Sequence, residues 1–450
     1  MLLWICSFAL SLVWLINGDN ICTKSSYGTE FIFGFADLPY FTTRSESTDP
    51  SLSIRIVSKR STYIYVTLPT TASASKTPTF VTNRHRVYQT GSFSFNATHI
   101  NKNSVSSSRS SIKIRSNDPI SVLAVYNVNS YVITNPILPV SSLSTSYVIP
   151  SYTQNSFSHS QSQMLIVALN DSTTVHIKSY DISNTQRLNA NETYVYQPRQ
   201  DLSGTSITSN YPVAVFSSVT MGYNSPYSSY TRVQTRDLFM QVPPIVKDAL
   251  HFVVPSLPGV VKSYKVRIYA THIGARVEVH SSSSSKKLMH VYENIYYEYG
   301  TKGSTALEIL SDNPIMVVQI ALNSDGEAMY MTNIPAVSQY MTNYLTDSSH
   351  SFYIITVRYE EALGLLADGK PLMHNPEVAA HRTPLGNYTV FTVPMTTRDI
   401  VSHVGDEPFG LLVYGTFDVT RFGHFAYSYS AGMKFNEDCV YSTHASQIIG

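Results

Sequence analysis

Apolar and polar residues alternate in short runs along this chain, and almost nowhere do apolar residues recur at the three-to-four-residue spacing of an amphipathic helix. Four segments read as pairs of alternating strands: LSIRIVSKRSTYIYVTL from Leu52, MLIVALNDSTTVHI from Met164, YKVRIYATHIGARVEVH from Tyr264 and FYIITVRYEEALGLLADG from Phe352. A period of two places successive side chains on opposite faces of a sheet. Asn170-Asp171 and Ile273-Gly274 stand where turns belong, so each pair is expected to form a hairpin. Only Val242 to Ala249 and Asn375 to His381 have the look of single helical turns.

A turn-then-strand phrase recurs four times: Ser116-Asn-Asp-Pro119, Ser209-Asn-Tyr-Pro212, Ser311-Asp-Asn-Pro314 and Gly405-Asp-Glu-Pro408. Asn and Asp stabilise a turn through their own side chains, Pro presets φ at the strand entry, and a β-branched run then enters a buried sheet. Apolar residues follow each proline at offsets of one, three and four, as in Ile120, Val122 and Leu123. An apolar anchor precedes it by five positions at Ile114, Ile207 and Ile309; the fourth copy has His403 there, with Val401 nearby. The phrase Tyr147-Val-Ile-Pro150-Ser151 recurs as Phe252-Val-Val-Pro255-Ser256, and Tyr344-Leu-Thr-Asp-Ser348 lacks the proline. Successive phrase prolines lie 93, 102 and 94 residues apart, a period that means tandem domains rather than a solenoid. The expected architecture is therefore all-β, with four sandwich-like modules over residues 19–145, 146–249, 250–341 and 342–450. A closed propeller-like ring is the alternative.

Composition narrows the class. With 43% hydrophobic and 14% charged residues, the chain is neither disordered nor coiled-coil, and its 32 Tyr suit half-buried pleated surfaces. A formal net charge of +1 argues against nucleic acid and anionic membranes as partners. The basic spots at Arg84, His85, Arg86 and at Lys286, Lys287 are expected in solvated turns.

Met1 to Ile16 is almost continuously apolar and is followed by Gly18, which reads as a secretory signal peptide over residues 1–18; an uncleaved N-terminal anchor is the competing reading. No later segment is apolar enough to span a bilayer as a helix. With Cys6 in the signal peptide, Cys22 and Cys439 remain, and in an oxidising compartment they are expected to pair and join the two ends of the mature chain. Four sequons, at Asn96, Asn170, Asn191 and Asn387, are expected on exposed loops or strand ends and to carry glycans.

Several of these phrases also resemble the N-terminal domain of the IgG-Fc-binding-protein family. The residues that carry the resemblance are Gly28-Thr-Glu-Phe31, Ser162-Gln-Met-Leu-Ile-Val-Ala168, Gln241-Val-Pro-Pro244 and, most specifically, Asp201-Leu-Ser-Gly-Thr-Ser-Ile-Thr-Ser-Asn-Tyr-Pro-Val-Ala-Val-Phe216. The resemblance implies an extracellular adhesion, mucus or innate-recognition role without catalysis, in a short version without von Willebrand type D domains. The cysteines usual in that family between the Pro-Val-Ala-Val strand and the Pro-Pro segment are absent from residues 217–240.

A nucleophile elbow, P-loop, H-E-x-x-H, EF-hand loop and dinucleotide fingerprint are all missing from the sequence. No catalytic residue, cofactor or metal is therefore assigned; Asp325-Gly-Glu327 and Asp368-Gly369 read as hairpin turns rather than calcium loops. The stretch holding Tyr223, Tyr227 and Tyr230 has turn composition and is the candidate partner-binding loop. The expected function is recognition of an extracellular protein or glycan through loops on a repeated β scaffold. A secreted hydrolase and a calcium-assisted lectin-like protein are the alternatives.

Overall fold

The computed structural model describes residues 24–36, 51–69, 80–95, 100–101, 110–128, 131–153, 160–181, 183–198, 200–221, 238–257, 259, 261–282, 284–346, 351–372, 378–394, 400–419 and 423–435. Each proline phrase is the point where the chain leaves one sheet and enters another. In the first module the 17-residue strand Ile112–Val128 runs through both sheets. Before Pro119 it lies between Gly28–Phe33 and Thr62–Pro69, and the latter pairs onward with Phe80–Val87. After Pro119 it lies between Ser51–Ser58 and Tyr131–Ile137, and Ser51–Ser58 pairs onward with Thr90–Phe95. All these pairings are antiparallel, and the result is a sandwich of two four-stranded sheets that share one strand.

The other three modules repeat this order. Ser206–Met221 is the shared strand of the second, where it pairs with Ser144–Val148 and Thr173–Lys178 in one sheet and with Ser160–Ala168 and Leu238–Gln241 in the other. In the third the shared strand is cut at the turn into Leu307–Ser311 and Ile315–Leu322, and in the fourth into Ile400–His403 and Gly410–Val419. The expected β-sandwich repeats are thus present. The expected hairpins are not: the two strands of each alternating segment lie in different sheets, since Ser51–Ser58 pairs with the second half of the shared strand and Thr62–Pro69 with the first. A strand that changes sheets at a proline needs a neighbour in each, so the segment between them arches across the sandwich. Of the two expected helical turns, Val242 to Ala249 forms hydrogen-bonded turns without helix, and the end of the other is the strand Ala379–Arg382.

The turn itself is closed by its first residue. Ser116, Ser209 and Ser311 donate their Oγ to the carbonyl two residues on, at 2.7, 2.7 and 2.6 Å. The fourth copy solves the problem differently. His403 Nδ1 accepts the backbone N–H of Gly405 (3.1 Å) and of Glu407 (3.3 Å), while Nε2 bonds the carbonyl of Glu361 (2.8 Å). His403 is therefore the cap, and Val401, paired with Tyr344, takes the anchor position.

Opposite each anchor sits a buried aromatic residue: Phe31 against Ile114, Tyr147 against Ile207, Phe252 against Ile309 and Tyr344 against Val401. Modules two and four use Tyr, whose hydroxyl reaches the carbonyl just after the phrase proline (Val213 at 2.8 Å, Phe409 at 2.5 Å) and accepts a backbone N–H three residues upstream, from Ser144 or Met341. Modules one and three use Phe. The chain is thus built from two two-module units. The 3-10 turns Val140–Ser142 and Val337–Gln339 occupy the same place in each unit, and isolated bridges Phe31–Pro139 and Phe252–Ala336 repeat with them.

Side chains on the outer face of one sheet of each module enter the apolar cluster of the preceding module. Leu165, Ala214 and Phe216 of the second module join the core of the first, and Phe239 meets Tyr126 edge-on at 5.0 Å. Tyr269, Met316 and Val318 of the third join the core of the second. Ile354, Leu412 and Tyr414 of the fourth join that of the third, and Leu123 and Val125 of the first join that of the fourth. The strands Tyr131–Ile137, Leu238–Gln241, Ala328–Ile334 and Gly423–Ser430 touch in the same cyclic order. The two ends of the described chain close this ring of sandwiches: Lys24–Ser25 pairs with Lys434–Phe435, and Ser26 exchanges three hydrogen bonds with Met433.

Tyr147→Phe and Tyr344→Phe each leave a buried carbonyl and a backbone N–H without their partner, so each is expected to lower unfolding free energy by about 1–3 kcal/mol in urea titrations.

Candidate interaction surface

Tyr223, Tyr227 and Tyr230 lie outside the described residues, as do Cys22, Cys439 and Asn96. Asn170 and Asn387 are exposed in turns. Asn191 is half-buried in a turn with φ of 69°; its N–H donates to the Ala168 carbonyl, and its own carbonyl accepts Ser111 Oγ of the first module at 3.1 Å. Asp325-Gly-Glu327 is a hairpin turn whose N–H groups at Asp325 and Glu327 donate to Asn323 Oδ1. Among the described residues no group of three or more His, Cys, Asp or Glu side chains is placed to hold a metal ion.

The long Asp201 to Phe216 phrase builds a buried clasp between modules two and three. Asp201 Oδ1 accepts the N–H and Oγ of Ser203 and the Oγ of Ser162, and its Oδ2 accepts Thr153 Oγ1. Gly204 has φ of +84°, and a Cβ there would stand 2.9 Å from the backbone of Asn294 in module three, so this close approach needs glycine. Arg267 reaches in from strand Ser263–Ala270. Its Nη1 donates to Ser203 Oγ (2.8 Å) and the Ser151 carbonyl, and its Nε to Glu298 Oε2 (2.9 Å). Lys265 Nζ holds the other oxygen of Glu298 at 2.7 Å. The guanidinium lies 4.7 Å from the centre of the Tyr152 ring and 4.1 Å from that of Tyr296.

The cluster joins modules; it presents no nucleophile with its base. Burial works to raise the pKa of Glu298, but the hydrogen bonds from Lys265 and Arg267 outweigh it and hold the carboxyl below its ordinary value. Two charged residues, Lys265 and Arg267, within the apolar run YKVRIYA are the sequence signal that points to this clasp. A serine–histidine pair does exist at the next interface, Ser256 Oγ and His381 Nε2 at 2.8 Å. Burial lowers the pKa of His381, and no described carboxylate bonds its second ring nitrogen.

The Arg84, His85, Arg86 spot is not in a turn. It lies on the edge strand Phe80–Val87, paired with Thr62–Pro69: Tyr63 is opposite Arg86 in the register, and Tyr65 is opposite Arg84 on one side and Arg115 on the other. Lys113, on the face of Arg115, is opposite Thr67. The guanidinium of Arg84 lies 3.9 Å from the centre of the Tyr63 ring; that of Arg86 lies 5.0 Å from Tyr88, and its Nε donates to Ser61 Oγ. Arg84, Arg86, Arg115 and Tyr88 are exposed, and none of these cations is ion-paired among the described residues. The basic spot of module three is also on a strand, Ser284–Val291, but there Lys286 is neutralised by Glu278 at 2.8 Å.

A family model described as IgGFc binding protein matches residues 133–415. The match runs from the last strand of the first module to the strand after Pro408 and includes the Ser162, Asp201 and Gln241 phrases; Gly28–Phe31 precedes it. No curated protein matches the chain.

Arg267→Ala leaves Glu298 with Lys265 alone and takes the donor from Ser203 Oγ and the Ser151 carbonyl, and is expected to cost about 1–3 kcal/mol in urea unfolding. Because Glu298 titrates below its unfolded value, its contribution is complete above the unfolded glutamate pKa and is lost as pH falls through the folded one. The urea midpoint should therefore drop on acidification, and Glu298→Gln should drop less over the same acid range.

Proposed function

The chain belongs to the IgGFc-binding protein family, and on that premise we propose that it is a secreted, glycosylated, non-enzymatic binding protein that recognises an extracellular protein or glycan through the outer faces and loops of a ring of four β-sandwiches. The observation that carries this reading is the family match across three of the four modules. The packing supports it. Inner faces are consumed by the sandwiches and the outer face of one sheet in each module by closing the ring, so the remaining described sheet faces and loops are what the molecule offers a partner.

Residues 1–18 are the secretory signal in this reading, and Cys22 and Cys439 form the covalent latch. Lys24 faces Phe435 and Ser25 faces Lys434, which sets the strands leading to the two cysteines antiparallel and adjacent. Exchange with a disulfide oxidant of the secretory compartment would then close a loop spanning almost the whole chain, at a gain of about 5 kcal/mol from lost entropy of the unfolded state. Asn96, Asn170, Asn191 and Asn387 carry the glycans; the exposure of Asn170 and Asn387 favours those two.

Non-reducing peptide mass spectrometry of protein secreted from eukaryotic cells tests all of this together. It should return a mature N-terminus after residue 18, a Cys22–Cys439 cross-linked peptide, and glycans at least on Asn170 and Asn387. Retention of residues 1–18 with free thiols and bare asparagines would overturn the secreted reading.

A further inference from the structure

Arg84, Arg86, Arg115 and Lys113 share the outward face of one sheet of module one, with Glu30 the acidic residue in register beside Arg115. We infer that this face, centred on Arg84, Arg86, Tyr63 and Tyr88, binds an anionic polysaccharide; the inference rests on the extracellular binding role proposed above.

Three features select that ligand. The first is charge that has no internal use. A molecule of net charge +1 holds four cations on one flat face, and the matching face of module three cancels its lysine with Glu278. The second is preorganisation. Lying over Tyr63 and Tyr88 holds the two guanidinium groups against the sheet, and Arg86 is further fixed by its Nε bond to Ser61, which leaves their terminal N–H groups to meet a sulfate or carboxylate. The third is the grid. Same-face residues repeat at roughly 7 Å along a strand and about 5 Å between strands, so the cations form an array with tyrosine rings between them. A chain of sugar rings bearing regularly spaced anions matches such an array: its apolar C–H faces lie on tyrosine and its charged groups on arginine. A nucleic acid would demand a larger positive field than this molecule carries.

The test uses the full-length secreted protein and immobilised heparin as probe, with dextran as the uncharged polysaccharide and polyglutamate as the acidic peptide. The wild type is expected to be retained on heparin at physiological salt and released by added NaCl, with no retention on dextran. Arg84→Glu combined with Arg86→Glu should weaken binding about tenfold or more, and Arg84→Gln with Arg86→Gln should do so without placing new charge on the sheet. Lys302→Glu combined with Lys370→Glu, which changes net charge equally at exposed positions elsewhere, should leave binding within about twofold. Tyr63→Leu should weaken heparin binding while leaving net charge unchanged. The inference is overturned if the wild type is not retained on heparin, if the charge-matched control loses as much as the arginine variants, or if polyglutamate binds as tightly as heparin. None of these results bears on signal cleavage or disulfide pairing, so failure here and failure of the secreted reading are read separately.

Discussion

The structure depends on sheets that are apolar on both faces. Ile315–Leu322 and Ala328–Ile334 are buried at every position, and the corresponding strands of the other modules bury most of both faces. One face is covered by the companion sheet of the sandwich. The other must be covered by something else, because apolar surface left in water costs roughly 25 cal/mol per Å². In a linear array of four such modules the first would keep Leu123 and Val125 in solvent, and the core of the fourth would lack its cover. Cyclic packing removes both exposures, and the short pairing of residues 24–25 with 434–435 holds the ends where closure needs them.

Closing the ring through hydrophobic faces leaves polar groups at the joints, and the joints are where the most specific side chains stand. Between modules one and two, Asn135 and Gln241 exchange hydrogen bonds with the backbone of each other's strands. Between two and three stands Arg267 with Glu298 and Asp201. Between three and four the fully buried carboxylate of Glu308 accepts Thr383 Oγ1 at 2.9 Å and the N–H of Leu385 at 2.7 Å. Each buried polar atom that is satisfied across a joint penalises any other register of the modules, since separating the partners leaves it unpaired. The long Asp201 to Phe216 phrase, which builds the second of these joints, therefore serves assembly of the modules.

The alternation between modules has the same physical origin. Modules two and four begin just after a 3-10 turn, and their Tyr147 and Tyr344 hydroxyls satisfy both the carbonyl after the phrase proline and an N–H at that turn. Modules one and three place Phe31 and Phe252 there, and the backbone of each bridges the chain ahead of the next 3-10 turn. Repetition of this pair of solutions makes the two-module unit, not the single sandwich, the element that recurs with all its details.

What the sequence determined by itself is local and periodic. Alternation without helical spacing made the chain all-β, and four proline phrases with their Asn and Asp marked four turns and four sandwiches; that the leading serine closes three of those turns was seen only in the structure. These are legible because turn chemistry and strand period act within a few residues. Which strands pair was not legible: an alternating segment with a turn in its middle looks the same whether it folds on itself or arches between two sheets, and only the need of the crossing strand for a neighbour in each sheet decides. Nor could the sequence distinguish Arg84 in a solvated loop from the same residue lying over Tyr63, 21 positions upstream, or show that the charged Arg267 would be buried by another module. Those outcomes were settled by contacts between residues far apart in the chain, whose energies exist only once the sheets have packed and the ring has closed.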